Sequence, residues 1–189
     1  MDNPYAALDA RRSTPSRQLQ APGPDHATLL RMLQSAVRVP DHGRRVPFRF
    51  LRIHGEDRHT LGALLETLTR QRTPDAGEAV FERERERFSF APLIITVIAA
   101  QGPDEKIPAH ERWSSASCVC FALLQAAQMA GFGAQWLTGW AATDATVRER
   151  LGVAADEAIV GFIHIGTPRL EAPERERPDP ATLLRDWTP

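Results

Sequence analysis

Three short stretches of the chain concentrate side chains that could do chemistry. Arg11-Arg12-Ser13, with Arg17 close behind, puts guanidinium groups beside a hydroxyl where a short N-terminal helix gives way to a Pro-containing loop. Guanidinium binds phosphate bidentately and a serine hydroxyl adds one more donor, which suits a single phosphate monoester. Two adjacent arginines also make an ordinary solvated helix end, so the triplet alone leaves both readings open. Arg38-Val39-Pro40-Asp41-His42-Gly43-Arg44-Arg45-Val46-Pro47-Phe48 gathers cations, an imidazole and an aromatic ring in a rigid turn. A surface turn in which Asp41 and His42 cap a helix end accounts for it equally well. The third stretch, Gly131-Phe132-Gly133-Ala134-Gln135-Trp136-Leu137-Thr138-Gly139, has the small residues that let a flat ligand approach the backbone. It reads equally as a tight helix-to-strand connection with Trp136 in the core.

Other chemistries lack their residues. No serine or cysteine stands in a nucleophile motif, which argues against hydrolysis. The histidines at 26, 42, 54, 59, 110 and 164 show no metal-binding spacing, and no metal is expected. Cys118 and Cys120 are the two cysteines and would project about 200° apart on a helix. They read as buried reduced thiols, as in a cytosolic protein. The start carries neither the basic nor the apolar stretch of a secretory signal, and Pro92 to Ala100 is too short to cross a bilayer as a helix. A cytoplasmic location without a membrane partner is the expectation. A net charge of -1 gives no field to gather nucleic acid.

The elements that must position these stretches follow from periodicity. With 42% hydrophobic and 25% charged residues in a chain of 189, one domain over 1–189 is expected. Asp25 caps a helix whose apolar face is Leu29, Leu30, Leu33, Ala36 and Val37, ending at the Pro40–Gly43 turn. Phe48 to Ile53 reads as a strand, followed by a helix from near Asp57 with Leu61, Leu64, Leu65 and Leu68 on one face. The alternating charges of Glu82 to Arg87 read as a solvated helix. The β-branched run from Pro92 to Ala99 predicts a central strand covered on both sides. Ser114 to Ala130 predicts a helix buried nearly all round, Ala134 to Thr138 a strand, Thr143 to Leu151 a helix capped by Thr143, and Ile159 to Ile165 a strand. The irregular alternation favours an α+β layered fold over a Rossmann domain. The charged, Pro-rich tail after Pro168 is either mobile or wrapped on a partner.

In their order and spacing these stretches resemble the nitroreductase family of flavin enzymes, in particular its short bacterial NAD(P)H-dependent members. The resemblance is carried by Arg11-Arg12-Ser13, Arg38-Val-Pro-Asp-His42, Ala91-Pro-Leu-Ile-Ile-Thr-Val97, Gly131-Phe-Gly-Ala-Gln-Trp136 and the closing Ile159 to Pro168. It implies a nitroreductase-like fold in which a mostly antiparallel sheet is flanked by helices, in an intertwined homodimer with flavin mononucleotide (FMN) at the interface. Residues 169–189 would then be an extension packing on the partner subunit. By the same resemblance Arg11, Arg12 and Ser13 grip the FMN phosphate and ribityl chain, and Arg38 and His42 reach the flavin from the other subunit. Trp136, Leu137 and Thr138 lie along the ring, and Ala126, Ala127, Gln128, Met129, Ala130 and Gly131 correspond to a segment assigned to NAD(P). The flavin carries the chemistry, so no protein residue is expected to be catalytic in its own right. Arg44 and Val46-Pro47-Phe48 depart from the family, where many members follow this turn with Asn and then Gln-Pro-Trp.

The expected activity is transfer of reducing equivalents from NAD(P)H to a nitroaromatic, quinone or similar small acceptor. The alternatives are another specialised flavin reaction such as reductive dehalogenation, and a flavin-binding carrier or sensor without turnover. A nucleic-acid adaptor fits poorly with the neutral charge balance.

Overall fold

The β-branched run forms a strand, β3 (Leu93–Ala100), in the computed structural model, which describes residues 3–188. Met1, Asp2 and Pro189, included in the expected domain, lie outside the described residues. Seven of the eight residues of β3 are buried, the signature of a strand covered on both faces. It pairs antiparallel with β2 (Phe48–His54) along one edge and with β5 (Glu157–Pro168) along the other. β5 is the longer interior strand. It also pairs antiparallel with β4 (Gly133–Leu137) through residues 162–166, and with β1 (Leu19–Gln20) through Thr167 and Pro168. The sheet therefore runs β2, β3, β5, with β4 and β1 sharing the far edge.

Period-2 alternation divides the core. Leu93, Ile95, Val97, Val160, Ile163 and Ile165 face a layer built from α2 (His26–Ala36) and α5 (Ala109–Met129), where they meet Leu29, Met32, Val119, Leu123 and Ala127. Ile94, Ile98, Ile159 and Phe162 face the opposite layer, meeting Leu61 and Leu65 of α3 (Asp57–Arg72) and also Phe88. Asp25 caps α2 as expected, its carboxylate accepting the Thr28 N–H at 2.8 Å. Gly62 of α3 is there for space, because a Cβ would stand 2.0 Å from the Arg85 carbonyl oxygen at the end of the next helix, α4 (Glu78–Glu86).

Three expectations are corrected. The helix expected from Ser114 starts at Ala109 and is not buried all round: Trp113, Phe121 and Met129 are 38%, 44% and 74% exposed. Small and apolar residues at four-residue spacing have the same composition whether they face a core or an open groove. Cys120 is buried, and burial pushes its thiol up to about 12, but Cys118 lies on the exposed side of the same helix. The cap of α6 (Ala145–Arg150) is Asp144 rather than Thr143. The Asp144 carboxylate accepts the Val147 N–H at 2.9 Å.

One polar group sits in the second core layer. His164 stacks on Phe88 with centroids 5.5 Å apart, and neither ring nitrogen has a hydrogen-bond partner among the described residues. Burial, with a smaller contribution from Arg87, pushes its imidazole from the ordinary 6.5 down to about 3. Below pH 6.5 the unfolded chain therefore takes up a proton that the folded chain does not. The His164 contribution is fully favourable above that pH and is lost as the pH falls toward 3. His164→Phe should remove this dependence, so that between about pH 6 and 4 the wild type loses up to about 1.4 kcal/mol per pH unit more than the variant. Urea unfolding at several pH values measures the two slopes, and equal slopes would refute the assignment.

Candidate functional site

The segment carrying Arg11, Arg12 and Ser13 is held by backbone bonds rather than by its own helix. The preceding α1 (Ala6–Asp9) is a single turn with every residue exposed, too short to be stable alone. The chain instead leans on the C-terminal end of α5 and on β4. The Arg12 N–H donates to Gln128 Oε1 at 2.8 Å, Gln128 Nε2 donates to the Ala10 carbonyl at 2.6 Å, the Thr14 N–H donates to the Ala134 carbonyl at 3.0 Å, and the Ser16 N–H donates to Gln135 Oε1 at 2.5 Å. Gly133 lets the segment pass, because a Cβ there would stand 2.8 Å from both Thr14 Oγ1 and Leu19 Cδ2.

The two arginines differ in what they have left to bind. The Arg12 guanidinium donates to the carbonyls of Asp9 at 2.6 Å and Arg11 at 3.1 Å, and pairs with Glu174. The Arg11 guanidinium, among the described residues, donates only to Ser13 Oγ, at 3.2 Å. It faces a pocket of about 430 Å³ whose lining includes Arg175 and Arg177 from the tail. Partial burial first, then the charges of Arg177, Arg12 and Arg175, push the Arg11 guanidinium below its ordinary range. Three arginines outnumber the two carboxylates of the lining, Asp9 and Glu174, and Glu174 is occupied with Arg12 and Arg177, which leaves a place for an anion. The place of Arg175, Arg177 and Glu174 was not legible in the sequence, since Glu174-Arg175-Glu176-Arg177 has the same alternation as Glu82 to Arg87, which was read as solvated although Glu84 is buried in the fold.

The Arg38–Phe48 turn is fixed just as firmly, at the other end of α5. Ser115 Oγ donates to the Pro40 carbonyl at 2.8 Å, and the Asp41 carboxylate accepts the N–H groups of Arg45 at 3.0 Å and Val46 at 2.8 Å. Asp41 thus caps the turn itself and not the preceding helix. Arg44 and Val46, two of the departures from the family pattern, have φ of 52° and 48°. Such values are costly for a β-branched residue and persist only where the surroundings impose them. His42 is exposed, with Nδ1 2.6 Å from Glu111 Oε2, and Arg38 is exposed as well. From Ser115 to Gln128 is thirteen helical residues, or about 20 Å of rise. One chain therefore does not bring Arg38 and His42 to Arg11.

Trp136 lies on β4 with its indole N–H donating to the Val160 carbonyl at 3.2 Å. Leu137 is half-buried and Thr138 exposed at the open end of the strand. Within the segment 126–131, Ala126 and Ala127 are buried in the α2–α5 layer and Gln128 is engaged with residues 10 and 12. Met129, Ala130 and Gly131 are exposed. Gly161 makes room for the indole, because a Cβ there would stand 1.9 Å from Trp136 Nε1 and 2.4 Å from its Cδ1. Gly161→Ala should displace the ring, destabilise the fold by about 1–3 kcal/mol and alter tryptophan emission. Denaturant unfolding followed by fluorescence checks both, and an unchanged midpoint would refute the close contact.

Comparison with known proteins places this geometry in a family. The model of the Nitroreductase family matches residues 8–167. YdjA of Escherichia coli K12, assigned provisionally as an NAD(P)H nitroreductase, is 36% identical over 177 residues, covering 92% of this chain and 93% of that protein. The crystal structure of a nitroreductase-like family protein from Bacillus cereus matches with a TM-score of 0.81 at 23% identity, covering 100% of this chain and 97% of that one. A Desulfovibrio desulfuricans protein provisionally assigned as a nitroreductase and solved with FMN matches with a TM-score of 0.75 at 22% identity, covering 100% of each chain. With most of its length matched by the family model and by a relative above 30% identity, this chain belongs to the nitroreductase family.

Proposed function

We propose that the protein is an FMN-dependent oxidoreductase that carries reducing equivalents from NAD(P)H to nitroaromatic, quinone or similar small flat acceptors. The observation that carries the reading is the pocket lined by Arg11, Arg175 and Arg177, with Ser13 bonded to Arg11, in a nitroreductase-family chain. A phosphate monoester fits it by charge, by size and by the fork geometry of the donors. Held there, FMN would supply the redox chemistry between the nicotinamide and the acceptor. The chain's part is to hold and orient. Arg11 and Ser13 grip the phosphate end while Arg12 braces the segment through its carbonyl contacts. Trp136, Leu137 and Thr138 line the ring. Within 126–131, the exposed Met129, Ala130 and Gly131 are the part left for a nicotinamide nucleotide.

A homodimer with the flavin between subunits completes this site. A two-fold axis near the middle of α5 would lay two such helices antiparallel, bringing the partner's Arg38 and His42 end to Arg11. The α5 surface supports this. Trp113, Phe121 and Met129 are exposed, and both amide atoms of Gln125 are buried without a partner among the described residues, beside an α2–α5 groove of about 720 Å³. The tail beyond the Glu174 contact, with Leu183, Leu184 and Trp187 exposed, is read as the extension that packs on the partner. Among the described residues no helix is long and apolar enough to cross a membrane. Unpaired cysteines suit a reducing cytoplasm, where NAD(P)H is available.

The purified protein should be yellow, should release FMN on denaturation and should oxidise NAD(P)H in the presence of a nitroaromatic or quinone. Flavin without NAD(P)H oxidation would make it a carrier or sensor. Arg11→Ala should weaken FMN binding by about 1.5–3 kcal/mol, the scale of a charge-assisted hydrogen bond. Equilibrium dialysis measures this, and unchanged affinity would remove the phosphate assignment. Diluting the holoprotein through its dissociation range should release flavin as mass falls in light scattering. A monomer that keeps both flavin and activity would overturn the shared site.

A further inference from the structure

A charged side chain at the end of a flexible segment binds an anion well only if its backbone is held. The α1 turn gives Arg11 one backbone bond, its N–H donating to the Leu8 carbonyl at 3.2 Å, but that single turn is itself exposed throughout and is a weak reference. The groups that flank Arg11 in sequence, the Ala10 carbonyl and the Arg12 N–H, are both taken by the same amide, Gln128, at 2.6 and 2.8 Å. A glutamine is suited to this because one planar group carries a donor and an acceptor at fixed separation. Bonding on both sides of one residue restrains the peptide planes that set its Cα–Cβ direction. The next anchors, at Thr14 and Ser16, lie three and five residues further on.

We infer that Gln128 is a positioning residue that aims Arg11 at the phosphate. The inference rests on the FMN phosphate reading above, and it moves Gln128 from the nicotinamide segment to the flavin phosphate. Gln128 reaches from the last turn of α5, a helix whose buried face is fixed in the α2–α5 core layer. Arg11 is thereby referenced to the core of the protein and not only to its own exposed turn. Arg12 does not substitute for it, because its guanidinium is engaged with Asp9, Arg11 and Glu174.

The test uses the full-length apoprotein with two ligands, FMN and riboflavin, which share the ring and differ in the phosphate. Gln128→Leu keeps the size of the side chain and removes both hydrogen bonds. It should reduce the preference for FMN over riboflavin by about tenfold, with riboflavin affinity changed less than about twofold. In an Arg11→Ala background the same substitution should have no further effect on FMN, because Gln128 works through Arg11. Gln128→Glu, which retains the acceptor for the Arg12 N–H and loses the donor to Ala10, should give a smaller loss and serves if the leucine variant does not fold. Equal weakening of both flavins, additivity with Arg11→Ala, or a raised KM for NAD(P)H at unchanged FMN preference would each overturn the inference. A wild type that binds flavin without preferring FMN would overturn the phosphate reading, and this inference with it.

Discussion

The architecture depends on how closely other parts of the chain can approach β5. That strand pairs with β3, β4 and β1 and is packed on both faces. Two of its residues are glycines for want of space. Gly161 lies under the Trp136 indole, and a Cβ on Gly166 would stand 2.6 Å from Pro92 Cδ and 2.9 Å from the Gln20 carbonyl oxygen. These approaches bring β1 and β4 onto one edge, and with them the N-terminal segment and the strand that lines the proposed ring site. A side chain at either glycine would push apart surfaces that meet at van der Waals distance, where cores tolerate little added volume.

From that edge the polar machinery is laid out along α5. At its C-terminal end Gln128 holds the arginine segment, and near its N-terminal end Ser115 and Glu111 hold the Pro40–Val46 turn and His42. A helix keeps its ends apart whatever its side chains do. Groups anchored to opposite ends of one helix therefore meet only through a second copy, and an antiparallel pairing is the symmetric way to achieve it. In the proposed homodimer the same pairing would cover the apolar stripe left open on a helix whose other side is core.

Much of the fold was legible because it rests on strong local patterns: the β-branched run of β3, the apolar spacing of α2 and α3, and the Asp25 cap. The capping of α6 was misplaced by one residue because Thr143 and Asp144 are both good caps and only backbone geometry decides between them. The exposed side of α5 was hidden because burial in a core and an open groove draw on the same residues. Of the proposed site, the arginine triplet and the Arg38–His42 turn stand out through residue type and family order. Arg175 and Arg177 do not, since their meaning comes from a tail that folds back on residues more than 160 positions earlier. Gln128 was grouped with the NAD(P) segment by its neighbours in sequence, and its contacts with the Ala10 carbonyl and the Arg12 N–H show only in the fold.

The electrostatics of the pocket are local. The chain as a whole carries a net charge of -1, and charges separated by more than about 8–10 Å are largely screened at physiological salt. An anion is therefore attracted by the side chains that surround it and not by the protein's overall field. Arg11, Arg12, Arg175 and Arg177 close together repel one another, and these charges add to partial burial in pushing the Arg11 guanidinium below its ordinary range. Glu174, paired with Arg12 and Arg177, offsets part of that repulsion without reaching Arg11, whose hydrogen bond goes to the neutral Ser13. The cluster can thus form within a nearly neutral chain while the Arg11 guanidinium has no ion-pair partner among the described residues, and Gln128 bonds the backbone groups on both sides of that residue.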